Sequence, residues 1–320
     1  MKRRLLSLFV LALIAALGAQ SAWAAKYPER KIKLICAWAP GGGSDLMART
    51  LARLVNQTLD GRVYVENITG ATGLMGMREA LNAPPDGYTL MLLTTTNSIA
   101  PAVMKDYPTP DQLDPFTVAG EDPMVMVVGL DSPFKTVADF IAAAKASPGK
   151  LTVATSGHGS PQHLAMAAFA AASGIEVSYV PFKGAAPALV ATVGRHVDAV
   201  ANGVSEMIAM NEAKKIRGLV AMSTTRQRQY PDVPTAKELG YDVVVSRWMG
   251  VAAPKGLPAE VKALLVDAFK KATDTEEFKK FNAQNGLEPF HGTAEEARAW
   301  IKNQAEYFKK VAERAGIKPE

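Results

Sequence analysis

Two short segments of this 320-residue chain concentrate the residue types that can hold an anion. The first, Pro40-Gly41-Gly42-Gly43-Ser44-Asp45, follows the apolar run Ile32 to Ala39. The second, Ser156-Gly157-His158-Gly159-Ser160-Pro161, follows Leu151 to Thr155. In both, a strand-like run ends in a glycine-rich turn rimmed with serine and opens into an amphipathic helix. The first amides of such a helix have no partner within it, and the positive end of its dipole faces outward. A carboxylate or phosphate sits well there.

The second segment has the tighter logic. Ser160 suits the N-cap, and Pro161 the first helical position, where no N–H is needed. Gln162 and His163 then carry amides expected to be free and turned toward the loop. Gly157 and Gly159 allow close backbone approach, and the hydroxyls of Ser156 and Ser160 add donors. Each charge-assisted hydrogen bond to a carboxylate would contribute roughly 1.5–3 kcal/mol. A plain capped helix after a tight turn is the alternative. In the first segment Gly42, Gly43 and Ser44 carry the amides. Asp45 would repel an anion, so it is expected to cap the helix or bond its own backbone. Replacing Ser160 with alanine is expected to weaken ligand binding with the melting temperature of the unliganded chain nearly unchanged.

Other chemistries fit poorly. No Gly-Lys-Ser/Thr follows either loop, so neither is a phosphate loop, and neither matches the dinucleotide fingerprint. Ser160 and His163 sit together at a helix start without a Gly-x-Ser-x-Gly elbow, which argues against a hydrolase. His158, His163, His196 and His291 are scattered, with no cysteine or paired-carboxylate cluster beside them, so no metal is expected. No cofactor is implied. Thr95 and Asn97, after an apolar strand, are candidates to face a ligand; a solvated loop is the alternative. Lys183 offers a positive charge, or is a surface lysine. Asn202 and Ser205 end another strand, and Trp248 is either a packing residue or a pocket wall.

The elements that must position these residues alternate between strand and helix, which argues for α/β layers with mainly parallel strands. Met47, Leu51, Leu54, Val55 and Thr58 share a helical face that Asp60-Gly61 closes. Strands are expected at 62–66, 88–93, 124–130, 177–180, 197–200, 216–222 and 248–252. A Pro-rich acidic connection runs from Tyr107 to Pro115. Thr136 with Asp139, Thr235 with Glu238 and Thr293 with Glu296 read as capping pairs.

The N-terminus reads as an export leader: Lys2-Arg3-Arg4, the apolar Leu5 to Leu17, then Ala22-Trp23-Ala24 before Ala25. About 13 apolar residues are fewer than the roughly 20 that span a bilayer. Without residues 1–24 the formal charge falls from +5 to +2, which removes the main support for a nucleic-acid partner. The remaining length, about 300 residues, suits two lobes. Cys36 is the only cysteine and lies in an apolar run, so it is expected to be a buried strand residue.

Taken in order, several motifs resemble the extracytoplasmic solute receptors of the tripartite tricarboxylate transporter family, called Bug proteins. They are Trp38-Ala39-Pro40-Gly41-Gly42-Gly43-Ser44-Asp45 with Ala48-Arg49, Val65-Glu66-Asn67, and Pro85-Asp86-Gly87-Tyr88-Thr89-Leu90. Ser147-Pro148-Gly149-Lys150-Leu151, Gly157-x-Gly159-Ser160-x-x-His163-Leu164, Val180-Pro181-Phe182-Lys183-Gly184, Val197-Asp198, Tyr230-Pro231-Asp232-Val233-Pro234-Thr235 and Trp248-x-Gly250-x-x-Ala253-Pro254 complete the set. The resemblance implies a two-lobed periplasmic binding fold of the Venus-flytrap kind, each lobe a mixed, mostly parallel sheet flanked by helices. Lobe one would hold 26–124 and 247–320, and lobe two 125–246. It also implies a small carboxylate gripped by the loops matching 39–45, headed by Trp38, and 156–160. The expected partners are integral-membrane transporter subunits, the expected state a monomer and the expected compartment the periplasm. Ala201-Asn202-Gly203 departs from the more apolar stretch of many relatives. A sensor subunit of the same fold, signalling to a membrane kinase, is the competing reading.

Overall fold

The computed structural model describes residues 27–182, 184–290, 292–314, 316, 317 and 319. The expected leader at 1–24, Lys183 and His291 lie outside them. In chain order the elements are β1 (Ile32–Cys36), α1 (Gly43–Val55), β2 (Val63–Asn67), α2 (Leu74–Asn82), β3 (Thr89–Thr94), α3 (Thr95–Val103) and β4 (Leu113–Gly129). Then come α4 (Val137–Ala146), β5 (Thr152–Thr155), α5 (Pro161–Ser173), β6 (Ser178–Pro181), α6 (Ala185–Val193) and β7 (Ala199–Gly203). The chain continues through α7 (Ile208–Glu212), β8 (Ile216–Met222), β9 (Ser246–Pro254), α8 (Ala259–Asp274), α9 (Glu276–Gln284) and α10 (Ala294–Arg314).

Two compact units result. The first takes the described residues up to Leu92 with Gln112–Thr117 and Val251–Thr275; the second takes Leu93–Asp111, Val118–Gly250 and Glu276 onward. The described residues from Glu276 onward, grouped with lobe one in the sequence reading, fall in the second unit, where α10 buries Ile301, Phe308, Val311 and Ala312. The last three join a core with Ile99, Val103 and Leu164.

In the first unit β1 lies parallel between β2 and β3, with Leu34 opposite Val65 and Leu90. Met47, Leu51, Leu54 and Val55 of α1 are buried as the periodicity predicts. Thr58 is exposed, since the helix ends at Val55 and Leu59 takes the buried place. Phe116 meets Phe269 edge-on at 5.4 Å, which ties α8 into this core.

In the second unit the strand order is β8-β4-β7-β5-β6. β5 is parallel to β6 and β7, while β4 is antiparallel to β7 and β8, so the sheet is mixed. β4 is much longer than expected and begins inside the Pro-rich connection. The capping pairs hold: Asp139 Oδ2 accepts from Thr136 N at 2.8 Å and Glu296 Oε2 from Thr293 N at 2.7 Å. The Thr235 and Glu238 pair closes too, but on a single 3₁₀ turn rather than an α-helix.

Candidate functional site

In the first unit the loop between β1 and α1 is exposed from Ala39 to Gly43 and tied down from within. Gly41, at φ 83°, adopts a left-handed conformation that glycine tolerates best. Its amide donates to Asp45 Oδ2 at 2.9 Å. The same oxygen accepts from Arg49 Nε at 2.9 Å, and Asp45 Oδ1 accepts from Asn67 Nδ2 at 2.8 Å. Asn67 Nδ2 also reaches the carbonyl of half-buried Trp38 at 2.9 Å. Asp45 is buried, and the Arg49 guanidinium with the two amides holds its carboxyl down at about 2. Of the two roles expected for Asp45, it bonds the backbone of its own turn; the N-cap, Gly42, has no side-chain cap. Asp45, Arg49 and Asn67 therefore shape the loop. The amides of Gly43 and Ser44 stand in the first turn, where the helix supplies no acceptor.

In the second unit Ser160 caps α5 as expected: its Oγ accepts from His163 N at 3.3 Å, with Pro161 at the first helical position. One of the two amides expected to be free, that of His163, is thus committed, and so is that of Gly159. His163 N goes to Ser160, and Gly159 N donates to His163 Nδ1 at 3.1 Å. Gly159 is held at φ 64°, and a Cβ there would come within 2.7 Å of Val103 Cγ2, so only glycine fits. Gly157 is left-handed too, with a long bond from its amide to Thr155 Oγ1 at 3.4 Å. Ser156 Oγ lies 2.6 Å from Gln162 Oε1 and donates to it. What remains outward is the Ser160 hydroxyl proton and the Gln162 amide in the first turn.

His163 is buried and meets the rings of Tyr179 at 4.4 Å and exposed His158 at 5.3 Å. Burial, and then His158, push its imidazole down to about 4. Its Nδ1 accepts a hydrogen bond, so the neutral ring carries its proton on Nε2. His163 thus acts as a brace for Gly159 and brings no positive charge. Because its native-state value lies below the ordinary 6.5, its stabilising contribution is complete above pH 6.5. That contribution is lost as pH falls toward 4, by about 3 kcal/mol at most. His163→Gln, which keeps an acceptor but does not titrate, is expected to show a smaller fall in melting temperature between pH 7 and pH 4.5. Equal falls in the two proteins would refute this.

Thr95 and Asn97 do not offer their polar groups outward; both are buried. Thr95 Oγ1 accepts from Trp248 N at 2.5 Å. Asn97 Oδ1 accepts from Thr94 N at 2.8 Å, and its Nδ2 donates to Tyr107 Oη at 3.2 Å. Trp248 is buried and meets Trp300 edge-on at 5.6 Å. Asn202 is fully buried, and neither of its amide atoms has a partner among the described residues.

Beside the α5 loop lies an ionic cluster that the sequence reading missed. Arg247 Nη1 is 2.6 Å from Glu206 Oε1 and 3.3 Å from Asp122 Oδ2. Asp122 is buried and accepts from Ser205 Oγ at 2.6 Å and Ser205 N at 3.0 Å. Burial pushes the Asp122 carboxyl up, against the pull of Arg247 and Ser205. A side chain at Gly203 would collide with this carboxylate. Charged residues set within apolar strands, Asp122 before Met124–Val128 and Arg247 before Trp248-Met249, were the available signal, since buried charges require partners. Among the described residues no group of three or more His, Cys, Asp or Glu could hold a metal, and Cys36 is a buried free thiol.

The family model described as tripartite tricarboxylate transporter family receptor matches residues 47–317. The chain belongs to that receptor family. Protein BugT of Bordetella pertussis is 31% identical, over 91% of this chain and 91% of its own. A TctC solute-binding protein from Polaromonas is similar in structure at TM-score 0.81 and 30% identity, covering 90% of this chain and 99% of its own. Two Rhodopseudomonas palustris proteins are also similar. One, solved with adipate, has TM-score 0.78 and 25% identity over 92% of this chain and 100% of its own. The other, MatC with bound malate, has 0.74 and 26% over 89% and 99%. The receptor therefore has the α/β fold of periplasmic solute-binding proteins, as expected from its motifs. Its family is one of solute-binding receptors and not an enzyme class. No helix among the described residues is long and apolar enough to cross a membrane.

Proposed function

We propose that this receptor captures a small organic carboxylate and delivers it, as a monomer, to the integral-membrane subunits of a tripartite tricarboxylate-type transporter. In this reading the leader is removed before Ala25 and the protein works in the periplasm without catalysing a reaction. One carboxylate is taken at the loop after β5, by the Ser160 hydroxyl and the first-turn amide of α5. In the first unit the glycine-rich loop after β1, with Gly42, Gly43 and Ser44, offers an anion-binding turn of the same kind.

The carrying observation is the state of Ser160. Its oxygen is used inward as a cap, and its proton has no acceptor among the described residues, at the positive end of a 13-residue helix. Asp45 supports the reading, because its charge is absorbed by Arg49, Gly41 and Asn67 and does not confront an anion. The similar proteins solved with adipate and malate are consistent with it. A thermal-shift screen of the purified protein against mono-, di- and tricarboxylates tests the proposal. A ligand present at 100 times its Kd adds about 2.7 kcal/mol, so a binding subset raises the melting temperature by several degrees. No shift with any carboxylate would overturn it.

A further inference from the structure

A ladder of polar side chains runs through the second unit from Ser156 toward Asp122. Ser156 Oγ meets Gln162 Oε1 at 2.6 Å, Gln162 Nε2 meets Glu206 Oε2 at 3.4 Å, and Glu206 Oε1 is paired with Arg247 at 2.6 Å. The ladder has a direction. A carboxylate offers only acceptors, so the Gln162 amide must turn its NH₂ toward Glu206 and its carbonyl toward Ser156. Ser156 must then donate inward, and only its lone pairs are left for a ligand.

Ser160 is wired the opposite way. Its oxygen accepts from His163 N, which leaves its proton to be donated. The loop therefore presents a donor at Ser160 and an acceptor at Ser156. Asn202 stands two residues beyond the rung that pairs Ala154 with Val200, as Ser156 does. It is fully buried with both amide atoms unpartnered among the described residues, which is costly unless a polar group meets them.

We infer that the second unit selects a carboxylate bearing a hydroxyl or ammonium group next to the carboxyl. Ser156 accepts that group's proton while Ser160 and the α5 amide hold the carboxylate. The inference rests on the carboxylate-receptor reading above. A plain acid would set its oxygens against the Ser156 lone pairs and leave them unsatisfied. Glu206 is a positioning residue that fixes the polarity of Ser156 through Gln162, and Arg247 holds Glu206 in place.

Calorimetric titration of the purified protein with lactate and propionate, malate and succinate, and 2-hydroxyadipate and adipate tests it. In the pair that binds, the hydroxy acid is expected to be about tenfold tighter, the equivalent of one hydrogen bond. Ser156→Ala should bring the two members within about threefold of each other. Glu206→Gln should abolish or reverse the preference. With Oε1 of the new amide on Arg247, its NH₂ faces Gln162, which turns over and makes Ser156 donate outward. A purely structural role for Glu206 would weaken both acids alike. Equal affinities in the unaltered protein, or an unchanged ratio in Glu206→Gln, would overturn the inference and leave the carboxylate reading standing. Binding of none of the six acids, with no hit in the wider screen, would overturn both.

Discussion

Replacing Ser160 with alanine is expected to weaken carboxylate binding by about 10- to 150-fold, the loss of one charge-assisted hydrogen bond of roughly 1.5–3 kcal/mol. The sequence suggested that the unliganded protein would melt almost unchanged, but the structure corrects this. Ser160 Oγ is the acceptor for His163 N, so alanine also removes a helix cap. Losing a cap costs about 1 kcal/mol, or about 2 °C in a chain of this length. Ser160→Asp separates the two roles. Aspartate caps as well as serine, so the melting temperature should recover, whereas the donor is gone and a negative charge faces the ligand. Binding should then disappear altogether. Titration and thermal melts of both variants decide the matter: unchanged affinity in Ser160→Ala would place the anchor elsewhere.

Asp122→Ala is expected to destabilise the protein by about 3–5 kcal/mol in denaturant unfolding, the cost of breaking a buried ion pair from one side. Arg247 keeps Glu206 but loses its second carboxylate, and Ser205 loses the acceptor for both its hydroxyl and its amide. Removing the pair together is a different experiment. Asp122→Leu with Arg247→Met exchanges a buried carboxylate and its half-buried partner for apolar packing and should recover part of the loss, since Ser205 and Glu206 stay without their partners. A loss under about 1 kcal/mol for Asp122→Ala would mean that the pair adds nothing to the fold.

The parts of this molecule that could be read from sequence are those decided locally. A cap and its partner lie three residues apart, so Thr136 with Asp139 and Thr293 with Glu296 are written in the chain and form as written, and Ser160 takes the N-cap position expected of it. Strand Ile216–Met222 was legible because its apolar run has clear ends. The start of β4 was not, because Pro115 and Pro123 read as breakers although both lie within the strand. Asp122 and Arg247 are far apart in sequence, so only the fold brings them together. The site was half legible. The chain shows which loops expose amides, but not that His163 turns its ring back onto Gly159 or that Ser156 spends its proton on Gln162. Those are rotamer choices, set by packing with Tyr179 and Glu206.

The division of the chain carries a consequence for biosynthesis. The first unit is assembled from three separate stretches, the last of them Val251–Thr275, whose Phe269 closes on Phe116. A polypeptide threaded from its N-terminus exposes β1, β2 and β3 long before that stretch arrives. Neither half can be expressed as an uninterrupted gene fragment, and a nascent chain stopped before residue 251 leaves apolar surface open to aggregation.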